Sequence, residues 1–115
     1  MKQRQVGSIA ILTPHGYLTG GEETDELEQA IKKLSEVGSK HLVINLAEAQ
    51  HLNSTALGVL ISAHSNFVRR GGQMKLCSVD KRIENIFVIT KLSLVFDVYA
   101  TEEQAIASFA EKGTA

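Results

Sequence analysis

The sequence holds one cysteine and almost no excess of charge, and each scarcity removes a class of protein. Cys77 has no partner for an intrachain disulfide, so a disulfide-stapled secreted scaffold is excluded. Formal net charge is -1, from 12 Lys and Arg against 13 Asp and Glu, which leaves no basic field to draw in nucleic acid. Lys2 and Arg4 are isolated charges rather than a basic arm. No apolar run approaches the roughly 18 residues that cross a bilayer. The opening residues contain no apolar block followed by a small-residue cleavage site. With no export signal and an unpaired thiol, the expected setting is the cytoplasm, with neither membrane nor nucleic acid as partner.

Chemical motifs are scarce as well. His15, His41, His51 and His64 stand at no metal-ligand spacing with one another or with Cys77, and HExxH is missing, so no metal is expected. Neither a GxxxxGKS/T loop nor GxGxxG occurs, and no cofactor is expected. Gly20-Gly21 precedes a helical pattern, but Glu22 and Glu23 follow at once and would repel a phosphate there. That glycine pair reads as a flexible turn from strand to helix. GxSxG is absent. His51, three residues before Ser54, is a candidate base for it, but no residue identifies itself as the orienting acid, and the chain is read as not an enzyme. Cys77 falls in an apolar strand and reads as core. His64 reads as a satisfied, partly buried histidine, Phe67 and Val68 as core, and Arg69-Arg70 as a solvated helix end.

What remains is an ordinary globular composition, 43% hydrophobic and 22% charged, in 115 residues. That predicts one domain over 1–115 with a core of its own. Ile9 to Leu12 reads as a strand, with a short strand before it turning at Gly7-Ser8, and Pro14 with Gly16 as a turn. Leu27, Ala30, Ile31 and Leu34 recur at helical spacing over 22–37, with acidic residues first, lysines last and Gly38 as the stop. A strand buried on both faces follows at 41–46. A loop over 47–52 leads to a helix over 54–70, with Leu57, Leu60, Ile61, His64, Phe67 and Val68 as its stripe and Gly71-Gly72 as its end. A strand is expected at 73–79, a helix capped by Asp80 carrying Ile83, Ile86 and Phe87, a strand at 94–99, and a last helix opened by a Thr101/Gln104 capping box. Strands alternating with helices imply an α/β sheet with parallel pairs and right-handed crossovers.

Asn53-Ser54-Thr55 is the informative stretch. Asn, Ser and Thr are the usual helix caps, and capping alone is one reading. A capping box would need Glu or Gln three residues on, where Leu57 follows Ser54 and Ala56 follows Asn53. The helix start is therefore less completely satisfied by its own side chains and can accept an anion. Ala56 and Gly58 are small and leave room for a partner, and Gly58 inside a helix costs about 1 kcal/mol relative to Ala, which implies a close-packing or access role.

The ordered pattern resembles the STAS domain of bacterial anti-sigma factor antagonists. The matching stretches are Leu42-Val43-Ile44-Asn45-Leu46, the loop, Asn53-Ser54-Thr55-Ala56-Leu57-Gly58, the Gly71-Gly72 turn, 92–99 and the acidic last helix, with Leu18-Thr19-Gly20 as an earlier motif. The resemblance implies a STAS-type fold, a mixed sheet of four to five strands with about four helices. It implies a partner that is both anti-sigma factor and serine kinase, bound when the chain is unmodified so that a sigma factor is freed for transcription. It makes Ser54 the phosphoacceptor, with Thr55 as the alternative, and a phosphatase the resetting partner. Gly20, Gly21, Glu23, Asn53, Ser54, Thr55, Leu57 and Gly58 are the expected partner-binding residues, on a monomer or weak homodimer. Asn45 and Asn53 stand where the family favours Asp, and Ala56 where it favours Gly. The competing readings are a constitutive STAS scaffold or sensor subunit without a regulatory phosphate, and a small Ser/His hydrolase built on Ser54 and His51.

Overall fold

The computed structural model describes residues 1–114, with side chains to residue 110; residue 115, the last of the expected domain, lies outside the described residues. The strands are β1 (Lys2–Val6), β2 (Ile9–Thr13), β3 (Gly16–Leu18), β4 (His41–Asn45), β5 (Ala49–Leu52), β6 (Gln73–Cys77) and β7 (Asp97–Tyr99). The helices are α1 (Glu22–Glu36), α2 (Ser54–Arg69), α3 (Lys81–Ile89) and α4 (Glu102–Thr114), with a 3₁₀ turn at Leu92–Leu94. Five strands form one mixed sheet in the order β1-β2-β4-β6-β7, in which β1 is antiparallel to β2 and the other pairs are parallel. β3 and β5 form a separate parallel pair. The mixed five-stranded sheet and four α-helices match the expected architecture.

Alternation along the central strands assigns the faces. Ala10 and Leu12 of β2, Leu42 and Ile44 of β4, and Met74 and Leu76 of β6 join Leu27, Leu60, Phe67 and Phe87 of α1, α2 and α3 in one large apolar core. Ile9, Ile11, Val43 and Cys77 face the other way and meet Ala105 and Phe109 of α4 in a smaller one. Lys75 is fully buried on that second face. Its Nζ donates to Ser108 Oγ at 2.7 Å and to Tyr99 Oη at 3.4 Å, and lies 4.6 Å from the Phe109 ring centre.

Both long helices stop as glycine dictates. Gly38 (φ +83°) donates to Ser35 O and Ser39 to Leu34 O; Gly71 (φ +82°) donates to Val68 O and Gly72 to Phe67 O. These are paired left-handed closures that satisfy the last carbonyls of α1 and α2. Gly72 has a second reason: a Cβ there would fall 2.3 Å from Lys40 O, where the backbones of β4 and β6 meet.

Five expectations need correction. Residues 47–52 are not all loop: Ala49–Leu52 is β5, and Gly16, expected in a turn with Pro14, begins β3. Residues 94–96 do not extend, because Lys91 is left-handed and Leu94, Val95 and Phe96 donate back to Lys91 and Leu92, coiling the chain until Asp97. Ile61 and Val68 leave the α2 stripe, at 38% and 52% exposed. Each follows a core residue by one position, a turn of about 100° around the axis. His64 is half-buried, but its Nδ1 has no hydrogen-bond partner; its ring meets Phe96 edge-on at 5.4 Å instead. Among the described residues, no helix is long and apolar enough to cross a membrane.

Candidate functional site

β3 and β5 carry the chain to the site in step. Leu18 pairs with Leu52, both buried, and Tyr17 pairs with His51, both exposed. The next residues leave the pair together, one strand into the Thr19-Gly20-Gly21 loop before α1, the other into Asn53 before α2. Asn53 binds the two: its backbone N–H donates to Leu18 O, and its Nδ2 donates to Thr19 O at 2.9 Å. Its Oδ1 accepts from Ala56 N at 3.1 Å, capping α2. An aspartate could cap but has no donor for Thr19. The amide at this position therefore staples loop to helix.

Gly20 is left-handed at φ +95°, and its N–H donates to Thr24 Oγ1 at 2.9 Å. A Cβ on Gly20 would lie 3.3 Å from Thr55 Cγ2, so loop and helix start are in contact without room for a side chain. Gly21 is the N-cap of α1 and makes no side-chain cap bond. Glu23 goes elsewhere: its Cγ lies near Gly16, in a cleft shared with Met1, His15, Glu22 and Glu26.

Ser54 is the first helical residue of α2 and is exposed, and its hydroxyl makes no hydrogen bond to the described residues. Asn53 satisfies the N–H groups of Ala56 and Leu57, through its side chain and its carbonyl respectively. The N–H groups of Ser54 and Thr55 remain among the orphans of a helix start. No acidic residue sits in the first turn of α2. The site thus offers a free hydroxyl and amide donors in a field that favours an anion.

Two expected contacts are corrected by burial. Leu57 is 7% exposed and belongs to the large core, and Ala56 is fully buried, so its small side chain opens no surface. Gly58 is exposed with open space where a Cβ would be, which removes the close-packing role and leaves access. The structure therefore brings together Gly20, Gly21, Asn53, Ser54, Thr55 and Gly58, and not Glu23 or the Leu57 side chain.

His51 shows no hydrogen bond to Ser54 or to a carboxylate among the described residues; its ring lies 6.4 Å from that of Tyr17. Cys77 is buried, and burial pushes its thiol pKa up, which suits core packing and not reactivity. No group of three metal-ligating side chains occurs among the described residues. Asn45 has a structural partner: its Nδ2 donates to Glu102 Oε1 at 2.9 Å and its Oδ1 accepts from Ala47 N. An aspartate there would face the Glu102 carboxylate. Sequence reasoning missed Tyr17 and the Thr19 carbonyl; strand parity with buried Leu18 would have exposed Tyr17.

Residues 1–105 match the STAS domain family. The anti-sigma-B factor antagonist of Bacillus subtilis (strain 168) is 30% identical over 80 residues, covering 70% of this chain and 72% of that protein. A crystal structure of an anti-sigma factor antagonist from Thermotoga maritima superposes with a TM-score of 0.86 at 20% identity, covering 93% of this chain and 92% of that one. The Bacillus cell fate determinant SpoIIAA in its phosphorylated form has a TM-score of 0.75 at 16% identity, covering 94% and 97%. At those identities the two structures speak for the fold alone.

Proposed function

The chain belongs to the STAS domain family, among the anti-sigma factor antagonists, and from that premise we propose that it binds an anti-sigma factor that is also a serine kinase. The unmodified chain binds and so releases a sigma factor in the cytoplasm; a phosphate on Ser54 ends the binding, and a phosphatase restores it. The observation that carries this reading is the exposed, unbonded Ser54 hydroxyl at the first position of α2.

A phosphate adds about -1.5 to -2 charges and three acceptor oxygens. Within the domain it meets orphan amides and a helix dipole, and Asn53 beside it is neutral, so the fold tolerates it. Across a packed interface the same group adds bulk and charge that the partner must desolvate. Gly20, Gly21 and Gly58 leave the surroundings of Ser54 bare, which suits close approach by a partner's backbone. With an amide at Asn53, the proton acceptor for Ser54 comes from the kinase. Thr55 is the weaker acceptor, because its side chain packs against Gly20.

Mass spectrometry of the protein from its native host identifies the modified residue, expected to be Ser54. Pull-down with the host's purified anti-sigma factor kinases then compares variants. Ser54→Ala is expected to bind and to take no phosphate. Ser54→Asp is expected to bind at least tenfold more weakly, a loss of about 1.4 kcal/mol. Equal binding of the two variants sinks the switch.

A further inference from the structure

Of the ten large apolar side chains exposed among the described residues, five lie within 88–98: Val88, Ile89, Leu94, Val95 and Val98. They come from α3, the 3₁₀ turn and β7, and Val88 and Val98 border a cleft of about 550 Å³ with Val79, Phe87 and Phe96. The exposures of the five run from 39% for Val98 to 84% for Leu94, and a concentration of exposed apolar side chains on a monomer is often functional. None of these residues belongs to the Ser54 site.

The patch borders an open sheet edge. Among the described residues, β7 is the outermost strand and pairs with β6 alone. Tyr99 O accepts from Ser78 N on the β6 side. Alternation along the strand then turns the N–H and C=O of Val98 outward, away from the sheet.

We infer that this face docks a second copy of the chain, β7 antiparallel to β7 across a two-fold axis at Val98. There the two Val98 residues form a hydrogen-bonded pair that exchanges both bonds, the self-complementary contact that two-fold symmetry requires. Glu84 of α3 lines the cleft and Lys91 stands between α3 and the 3₁₀ turn, so a copy meets both signs rather than a uniform field of its own charge. The opposite edge is built against the same contact. β1 is Lys-Gln-Arg-Gln-Val, and centring it on itself would set Arg4 against Arg4. Five apolar side chains and one short strand per protomer fall well below the roughly 20–30 residues a side of a standard stable interface, so the dimer is weak.

Sedimentation velocity from about 10 µM to about 1 mM is the test. The unmodified chain is expected to pass from monomer to dimer, and Leu94→Asp or Ile89→Asp to raise Kd at least tenfold with unchanged circular dichroism; both positions are exposed, so the core is not touched. Val98→Cys under oxidation is expected to give a covalent dimer, because a hydrogen-bonded antiparallel pair has Cα atoms about 5.5 Å apart, within disulfide reach. Val37→Cys, at 78% exposed against 39% for Val98 but distant in sequence, is expected to give none. A monomer at about 1 mM overturns the proposal, as does a dimer that survives both aspartate variants and leaves Val98→Cys uncrosslinked. Patch resonances that shift only when a purified anti-sigma factor is added would assign the face to that partner and also overturn it.

Discussion

On one side of the sheet, Ala10, Leu12, Leu42, Ile44, Met74 and Leu76 meet three helices in a continuous apolar core. On the other, Ile9, Ile11, Val43 and Cys77 meet α4 alone. That second layer also encloses the ammonium of Lys75, and His41, whose Nδ1 has no partner and whose ring lies 4.7 Å from that of Phe109. Buried polar groups stabilise less than the apolar groups they displace. The candidate site stands on the helix start of α2, which belongs to the three-helix side. The candidate site is thus anchored in the better-packed layer, and α4 is the layer the fold can most easily loosen.

The largest expected effect separates neighbours on one strand. Ile44→Ala should cost about 4 kcal/mol and Val43→Ala about half of that, because Val43 loses two carbons where Ile44 loses three, and Val43 packs in the smaller core. Urea midpoints measure both, and equal losses would erase the contrast. Lys75 sharpens it further. Lys75→Ala leaves the Ser108 and Tyr99 hydroxyls short of a partner beside a cavity and should cost about 2–3 kcal/mol. Lys75→Met keeps the volume, removes the buried charge, and should be neutral or stabilising by about 1 kcal/mol. If Met is as damaging as Ala, the ammonium is a net stabiliser and α4 is held more firmly than its apolar contacts imply.

Helix caps give a smaller comparison. Asn53→Ala removes the α2 cap and the Thr19 bond and should cost about 1–2 kcal/mol, against at most about 1 kcal/mol for Thr101→Ala at α4. Asn53→Asp keeps the cap, loses the bond to Thr19, and should cost about 0.5 kcal/mol. The smallest effect is in acid. The Ile83 N–H, with Arg82 beside it, holds the Asp80 carboxyl below its ordinary value. A depressed folded pKa means stability present above the unfolded value and lost as pH falls through the folded one. Thermal melts of Asp80→Asn should therefore fall less steeply below about pH 4 than those of the parent. Hydrogen exchange should show the acid loosening in α3 and not in α4.

The elements written in long apolar periods were legible. α1, α2, β4 and β6 carry enough apolar positions to declare their period, and Gly38 and Gly71 mark the helix ends. β3 and β5 were not, because each shows little alternation and much of their specification is the register Leu18 to Leu52. Leu94 and Val95 look like strand residues, while the left-handed Lys91 and the backbone bonds back to Lys91 and Leu92 shorten the last strand. At the site, Asn53 was readable as a cap, but its second bond to Thr19 joins residues 34 apart and has no local signature. The resemblance points Leu57 outward, whereas the helix period places it with Leu60 and Phe67, where it is buried.

Glu102 accepts from Arg4, 98 positions earlier, and from Asn45, 57 positions earlier. During synthesis β2, β4 and β6 can assemble with α1 and α2 before Glu102 has been made. Until then β1 lacks the charge that latches it to α4. The edge carrying Arg4 is thus fastened late, and the nascent chain spends that interval with its outer strand held by β2 and the exposed Lys2–Glu48 pair.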